Sequence, residues 1–151
     1  MNLEQLGLFG IFLAGAIPWF EAIGVVPAGI LLGLDPVLTV IAAALGNVTT
    51  IALFAFAGDR IRSWVIERRR AKGKFPKSDR FEKAQRAFVK YGIYGMAVLG
   101  PVLIGTQFAA AASVAAGAKP LRVTVLISLG MLAWATAIAW VLVAFEVSLP
   151  S

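Results

Sequence analysis

Trp19, Phe20 and Glu21 are the residues around which chemistry can be housed in the first part of the chain. Glu21 is the only charge between Gln5 and Leu34, in an otherwise apolar stretch. A carboxylate in such a run is costly, and by default it marks a functional site facing the protein interior or a water-filled cavity. It can take a proton or a cation, and burial, by disfavouring its charged form, suits it to proton coupling. Trp19 and Phe20 offer aromatic faces to a lipophilic cation, with core or interfacial packing as their plainer use. The plainer use of Glu21 is to cap a short helix at the headgroup level. Gly15, Pro18, Gly24, Pro27, Gly29 and Gly33 interrupt the same stretch, which argues against one clean helix. Non-helical backbone at membrane depth needs protein or a cavity to satisfy its polar groups. A buried acid beside broken helices is the pattern of a transport site.

A second broken stretch contains Pro101, Gly105, Thr106 and Gln107, neutral groups able to hydrogen-bond a ligand. Asp35 reads as a helix cap at a surface turn. Asn47, Thr49 and Thr50 read as interhelical hydrogen-bond partners. The chain has no cysteine and no histidine, which leaves no thiolate, no disulfide and no ordinary zinc or haem site. No phosphate loop or nucleophile dyad stands out. The expectation is a protein without a metal or cofactor, and not an enzyme.

The elements that must position these residues are membrane helices. Of 151 residues, 60% are hydrophobic and only 15% charged, and the mean hydropathy is +0.85. Pro36 to Gly58 and Val123 to Phe145 are charge-free runs long enough to span a bilayer. Asp35 and Pro36 suit the N-cap and first position of the first span. Leu6 to Leu34 would run ~43 Å as one straight helix, and each arm only ~20 Å if folded near Pro18 to Gly24. That is the arithmetic of a re-entrant hairpin, and Tyr91 to Ala118 repeats it. Glu4 stands where a signal peptide would carry basic residues, so the first segment is expected to stay in the mature protein.

All but two of the 14 basic residues lie between Arg60 and Lys90, and the formal charge is +6. A basic cluster between apolar spans reads as a cytoplasmic loop in an inner-membrane protein rather than as a nucleic-acid site. Asp79 and Glu82 have capping-box spacing, and from there Phe81, Ala84, Phe88 and Gly92 share a face opposite Lys83, Arg86 and Lys90. This predicts a basic amphipathic helix on anionic headgroups. Arg60, Arg62, Lys119 and Arg122 would line an inner mouth.

The two halves align without a gap at an offset of 84 residues: Gly33-Leu34-Asp35-Pro36 on Gly117-Ala118-Lys119-Pro120, and Leu45-Gly46 on Leu129-Gly130. The expected architecture is a single all-α polytopic membrane domain. Repeat 1 covers 6–58, the basic segment 59–90 and repeat 2 91–146, each repeat a re-entrant hairpin plus a transmembrane helix. Re-entrant segments make the halves inverted and put Lys119 and Arg122 inside; segments that cross fully make them parallel. The positive-inside tendency favours inversion. In an inverted pair the hairpin tips would meet near the midplane, Pro18, Glu21 and Gly24 against Pro101, Gly105, Thr106 and Gln107.

Glu21 to Gly29 and Leu45-Gly46-Asn47 resemble the first half of the small multidrug export protein family. Gly100-Pro101-Val102-Leu103-Ile104-Gly105-Thr106 resembles a segment of its second half. That family is in turn distantly similar to the DedA membrane proteins. Their likeness implies two re-entrant hairpins and proton-dependent handling of polyprenyl-phosphate lipids. DedA proteins carry arginine beside the second-half proline-glycine segment and just after the glutamate. Here Thr106, Gln107, Ala22 and Ile23 stand instead, and a phosphate would lose its bidentate partner. Three functions therefore stand open. The first is a proton-coupled secondary transporter or flippase of an anionic lipid. The second is a proton-coupled exporter of lipophilic or quaternary ammonium cations, and the third a membrane scaffold that does not transport. At 16.0 kDa a single copy makes a thin pathway, so a homodimer is expected.

Overall fold

The computed structural model describes residues 3–18, 20–71 and 92–148, and among these every regular element is helical. Six helices follow in chain order: α1 (Leu3–Ala16), α2 (Glu21–Leu31), α3 (Pro36–Ala71), α4 (Ile93–Leu103), α5 (Thr106–Ala115) and α6 (Pro120–Ser148). Helices α1 with α2, and α4 with α5, form two hairpins. Their arms have 14, 11, 11 and 10 residues, roughly 15–21 Å each, and so are shorter than a ~30 Å hydrocarbon core. Among the described residues, α3 and α6 are the two helices long and apolar enough to cross a membrane. Only 28% and 22% of their most apolar windows are buried, so most of that apolar surface faces outward. The core helix of a water-soluble domain would bury it; a lipid-facing helix need not.

Not every glycine or proline interrupts a helix. Pro27 lies inside α2 and Pro101 inside α4, and the breaks fall instead at 17–20 and 104–105. Helix α3 does not stop with the charge-free span, and the residues through Trp64 to Arg70 read as a helix end leaving the membrane. The helix continues past Gly58 through Arg60 and Trp64 to Ala71, so the first part of the expected basic loop is helix. No proline or glycine interrupts the chain between Gly58 and Gly73. The capping-box pair Asp79 and Glu82 and the amphipathic segment to Lys90 lie outside the described residues.

The 84-residue offset reappears in the backbone. At the end of α2, Leu32, Gly33 and Leu34 donate to the carbonyls of Ala28, Ile30 and Gly29 at 3.1, 2.9 and 3.1 Å. At the end of α5, Ala116, Gly117 and Ala118 donate to Ala112, Val114 and Ser113 at 3.0, 2.8 and 3.1 Å. Gly33 and Gly117 hold the left-handed conformation that closes each cap, with φ of 82° and 105°. Helices α3 and α6 then begin on Pro36 and Pro120, 84 apart. The Leu38 N–H donates to the Asp35 carboxylate at 2.8 Å, which confirms Asp35 as the cap of α3. Burial repeats too. Along α3 it falls on Thr39, Ala43, Asn47, Ile51 and Ala55, and along α6 on the equivalent Val123, Ile127, Met131, Ala135 and Ala139. In the hairpins, Ala22, Val25, Val26, Gly29 and Ile30 are matched by Thr106, Ala109, Ala110, Ser113 and Val114.

The chain divides into two compact units, Met1–Thr50 with Ser128–Ser151, and Ile51–Ile127. Each combines one hairpin, the opening of the long helix that follows it, and the closing part of the other long helix. In the first unit α1 lies backbone to backbone on α3. A Cβ at Gly15 would sit 2.6 Å from the Ala43 carbonyl oxygen, and one at Gly46 would collide with that of Phe12. Only glycine permits so close a crossing. In the second unit Gly100 faces the Ala109 methyl, and Phe54 meets Phe108 edge-on at 6.2 Å. Thr49 and Thr50 on α3 turn their hydroxyls to the carbonyls of Leu45 and Asn47 in their own helix, at 2.8 and 3.0 Å. For Thr49, which is exposed, this replaces the expected interhelical role.

Candidate functional site

The first hairpin turns at 17–20, where the Phe20 N–H donates to the Ile17 carbonyl at 3.2 Å. Glu21 then opens α2 with φ of 40°, the one non-glycine residue with positive φ among the described residues. A left-handed conformation costs an L-residue roughly 1–2 kcal/mol, and such strain collects at functional positions. Glu21 is also buried, at 6% exposure. Tight turn, strained backbone and carboxylate thus coincide at one interior point.

The neighbours expected to line that point divide. Pro18 is half-buried in the turn, whereas Phe20 is 63% exposed and Gly24 faces open space. The fold therefore turns Phe20 and Gly24 outward while it draws Glu21 in. Trp19 lies outside the described residues. The first unit also buries two polar side chains of α3, Thr39 and Asn47. Both were legible as polar letters in an apolar span, but their depth was not.

The second hairpin gathers Pro101, Gly105, Thr106 and Gln107 at its own tip. The amides of Ile104 and Gly105 both donate to the Gly100 carbonyl, at 3.1 and 2.9 Å, which closes α4. Gly105, at φ 90°, is the N-cap of α5. Pro101 is buried, and Thr106 and Gln107 are fully so. The Thr106 hydroxyl donates to Gln107 Oε1 at 3.1 Å. This tip is neutral and hydrogen-bonding, with no acid at the position equivalent to Glu21.

No lysine or arginine among the described residues is buried. Arg60, Lys119 and Arg122 are exposed and Arg62 is half-buried. Arg122 donates to the Tyr94 hydroxyl at 3.1 Å and stands 5.7 Å from its ring centre, while Arg68 lies 4.0 Å over Trp64. Among the described residues no group of three or more acidic, histidine or cysteine side chains is placed to hold a metal. Among the described residues the first unit buries the polar side chains of Glu21, Thr39 and Asn47, and the second those of Thr106, Gln107 and Ser113. The interior of the first unit, with its carboxylate, can take a proton or a cation. An anion entering it would meet a carboxylate and no buried positive charge from the described residues.

No curated protein and no solved structure matches the chain. One family profile does, over residues 21–137, from Glu21 at the start of α2 through the second hairpin and into α6. That span is most of the 151 residues, and the chain belongs to the family described as "Putative small multi-drug export protein".

Proposed function

We propose that the protein is a secondary exporter of lipophilic cations, in which Glu21 binds cation and proton alternately. The observation that carries this reading is the buried, backbone-strained Glu21 among described interior groups that include no lysine or arginine. A carboxylate that exchanges a proton for a cation couples two fluxes through one charge. The family description supports export. We read the two short-armed hairpins as re-entrant, the halves as inverted, and the Arg60 to Lys90 segment as cytoplasmic in the inner membrane. A homodimer would widen the pathway.

Transport of a lipid phosphate, the other reading, rests on Lys119 and Arg122, exposed at the start of α6. Proteoliposomes separate the two. With an imposed pH gradient, wild-type protein should move tetraphenylphosphonium and Glu21→Gln should not. If polyprenyl phosphate, and not the cation, raises the melting temperature of the purified protein, the cation reading is lost. A scaffold predicts that Glu21→Gln changes nothing.

A further inference from the structure

The polar interior of the first unit extends beyond Glu21 in a way the repeat makes legible. Helices α2 and α3 are joined by the short turn at 32–35, across which the chain must double back for residues 29 and 39 to touch. Their contact is fixed at Gly29, whose Cβ would press on the Thr39 side chain. One turn back along α2 for each turn forward along α3 then pairs Val25 with Ala43, and Glu21 with Asn47. All six of these positions are buried. A second contact agrees. A Cβ at Gly46 would lie 3.0 Å from the Ala16 nitrogen, so α3 beside Asn47 is level with the end of α1, where the turn to Glu21 begins.

Asn47 lies midway along the apolar run Pro36 to Gly58 and is fully buried. A buried amide at that depth is costly unless it is hydrogen-bonded, and interhelical packing is its plain use. The repeat argues against packing alone. The positions equivalent to Glu21 and Asn47 are 105 and 131, and they hold glycine and methionine. Met131 is fully buried at the same point of the ladder, so a long helix can be packed there without an amide. At these two positions acid and amide are present together in one half and absent together from the other.

We propose that Asn47 is a second ligand-contacting residue of the Glu21 site and selects for cations that carry N–H groups, that is, protonated amines. This rests on the cation reading above. Glu21 supplies the opposite charge, and the Asn47 amide oxygen accepts an N–H from the ammonium. A quaternary cation has no hydrogen to give, so it gains from Glu21 alone.

The test measures binding to the purified full-length protein of nortriptyline, protonated at pH 7, and of the trimethylammonium analogue on the same ring system. Asn47→Met, borrowing the residue of the other half, should weaken the amine about tenfold, the worth of one charge-assisted hydrogen bond. It should leave the quaternary analogue unchanged and the melting temperature no lower. Glu21→Gln should weaken both ligands. If Asn47→Met weakens both ligands equally, or neither, the selective role of Asn47 is overturned while a wild-type affinity lost in Glu21→Gln keeps the parent reading. If wild-type protein binds neither cation, the parent reading falls, and the role of Asn47 with it. Should Asn47→Met not fold, Asn47→Ala removes the same acceptor without added bulk and must show the same selectivity.

Discussion

The two halves bury equivalent positions and close their second hairpin helices on equivalent hydrogen bonds, yet they use their interiors differently. In the first half the polar groups are Glu21 at the hairpin tip and Thr39 and Asn47 on the long helix, while the rest of buried α2 is apolar or glycine. In the second half the hairpin itself is polar, through Thr106, Gln107 and Ser113, and the long-helix ladder of Val123, Ile127 and Met131 is apolar. The tips differ most. Position 21 is a carboxylate at φ 40°, and position 105 is a glycine at φ 90°. The second half shows what the backbone asks for at a tip, which is glycine. The first half shows what has been placed there in spite of it.

That contrast can be broken at four points. The largest effect is expected from Glu21→Gln, which should lower cation affinity by about ten- to a hundredfold, the worth of one strong charged contact. Equilibrium binding of tetraphenylphosphonium measures it, and an unchanged affinity removes the functional distinction between the tips. Next come opposite changes in melting temperature. Gly105→Ala puts a side chain where φ is left-handed and should destabilise by roughly 1–2 kcal/mol, whereas Glu21→Gly should relieve strain of similar size. A Glu21→Gly protein that melts lower than wild type would mean that the carboxylate holds the hairpin together. A smaller effect belongs to the caps. Asp35→Ala removes the acceptor for the Leu38 N–H and should cost about 1 kcal/mol in a thermal melt. Smallest of all is the equivalent Lys119→Ala. It removes no hydrogen-bond acceptor and should stay within about 0.5 kcal/mol of wild type.

How much of this was legible beforehand follows from what letters can encode. The offset of 84, the Asp35 cap and the start of α3 at Pro36 were readable because glycine, proline and aspartate have narrow local uses. Glu21 stood out because a charge in an apolar run has few explanations. The buried ladders did not stand out. In water, a helix betrays its inner face by contrast with a polar outer one. Here exposed Leu45 or Leu129 is as apolar as buried Ile51 or Ile127, so periodicity carries little signal. The outward turn of Phe20 and the left-handed backbone of Glu21 were hidden for another reason. Both depend on where the turn falls within 17–20, and several breakers competed to place it.

The division of the chain into a continuous and a discontinuous unit bears on synthesis. Ile51–Ile127 is one uninterrupted stretch, and every strand of contact it needs is available once residue 127 has emerged. The other unit requires Ser128–Ser151 to join Met1–Thr50, a closure across most of the sequence and of the kind that slows folding. Until the last helix arrives, nothing from the C-terminal end can brace the hairpin that carries Glu21. The discontinuous unit is complete only when the last helix has been made.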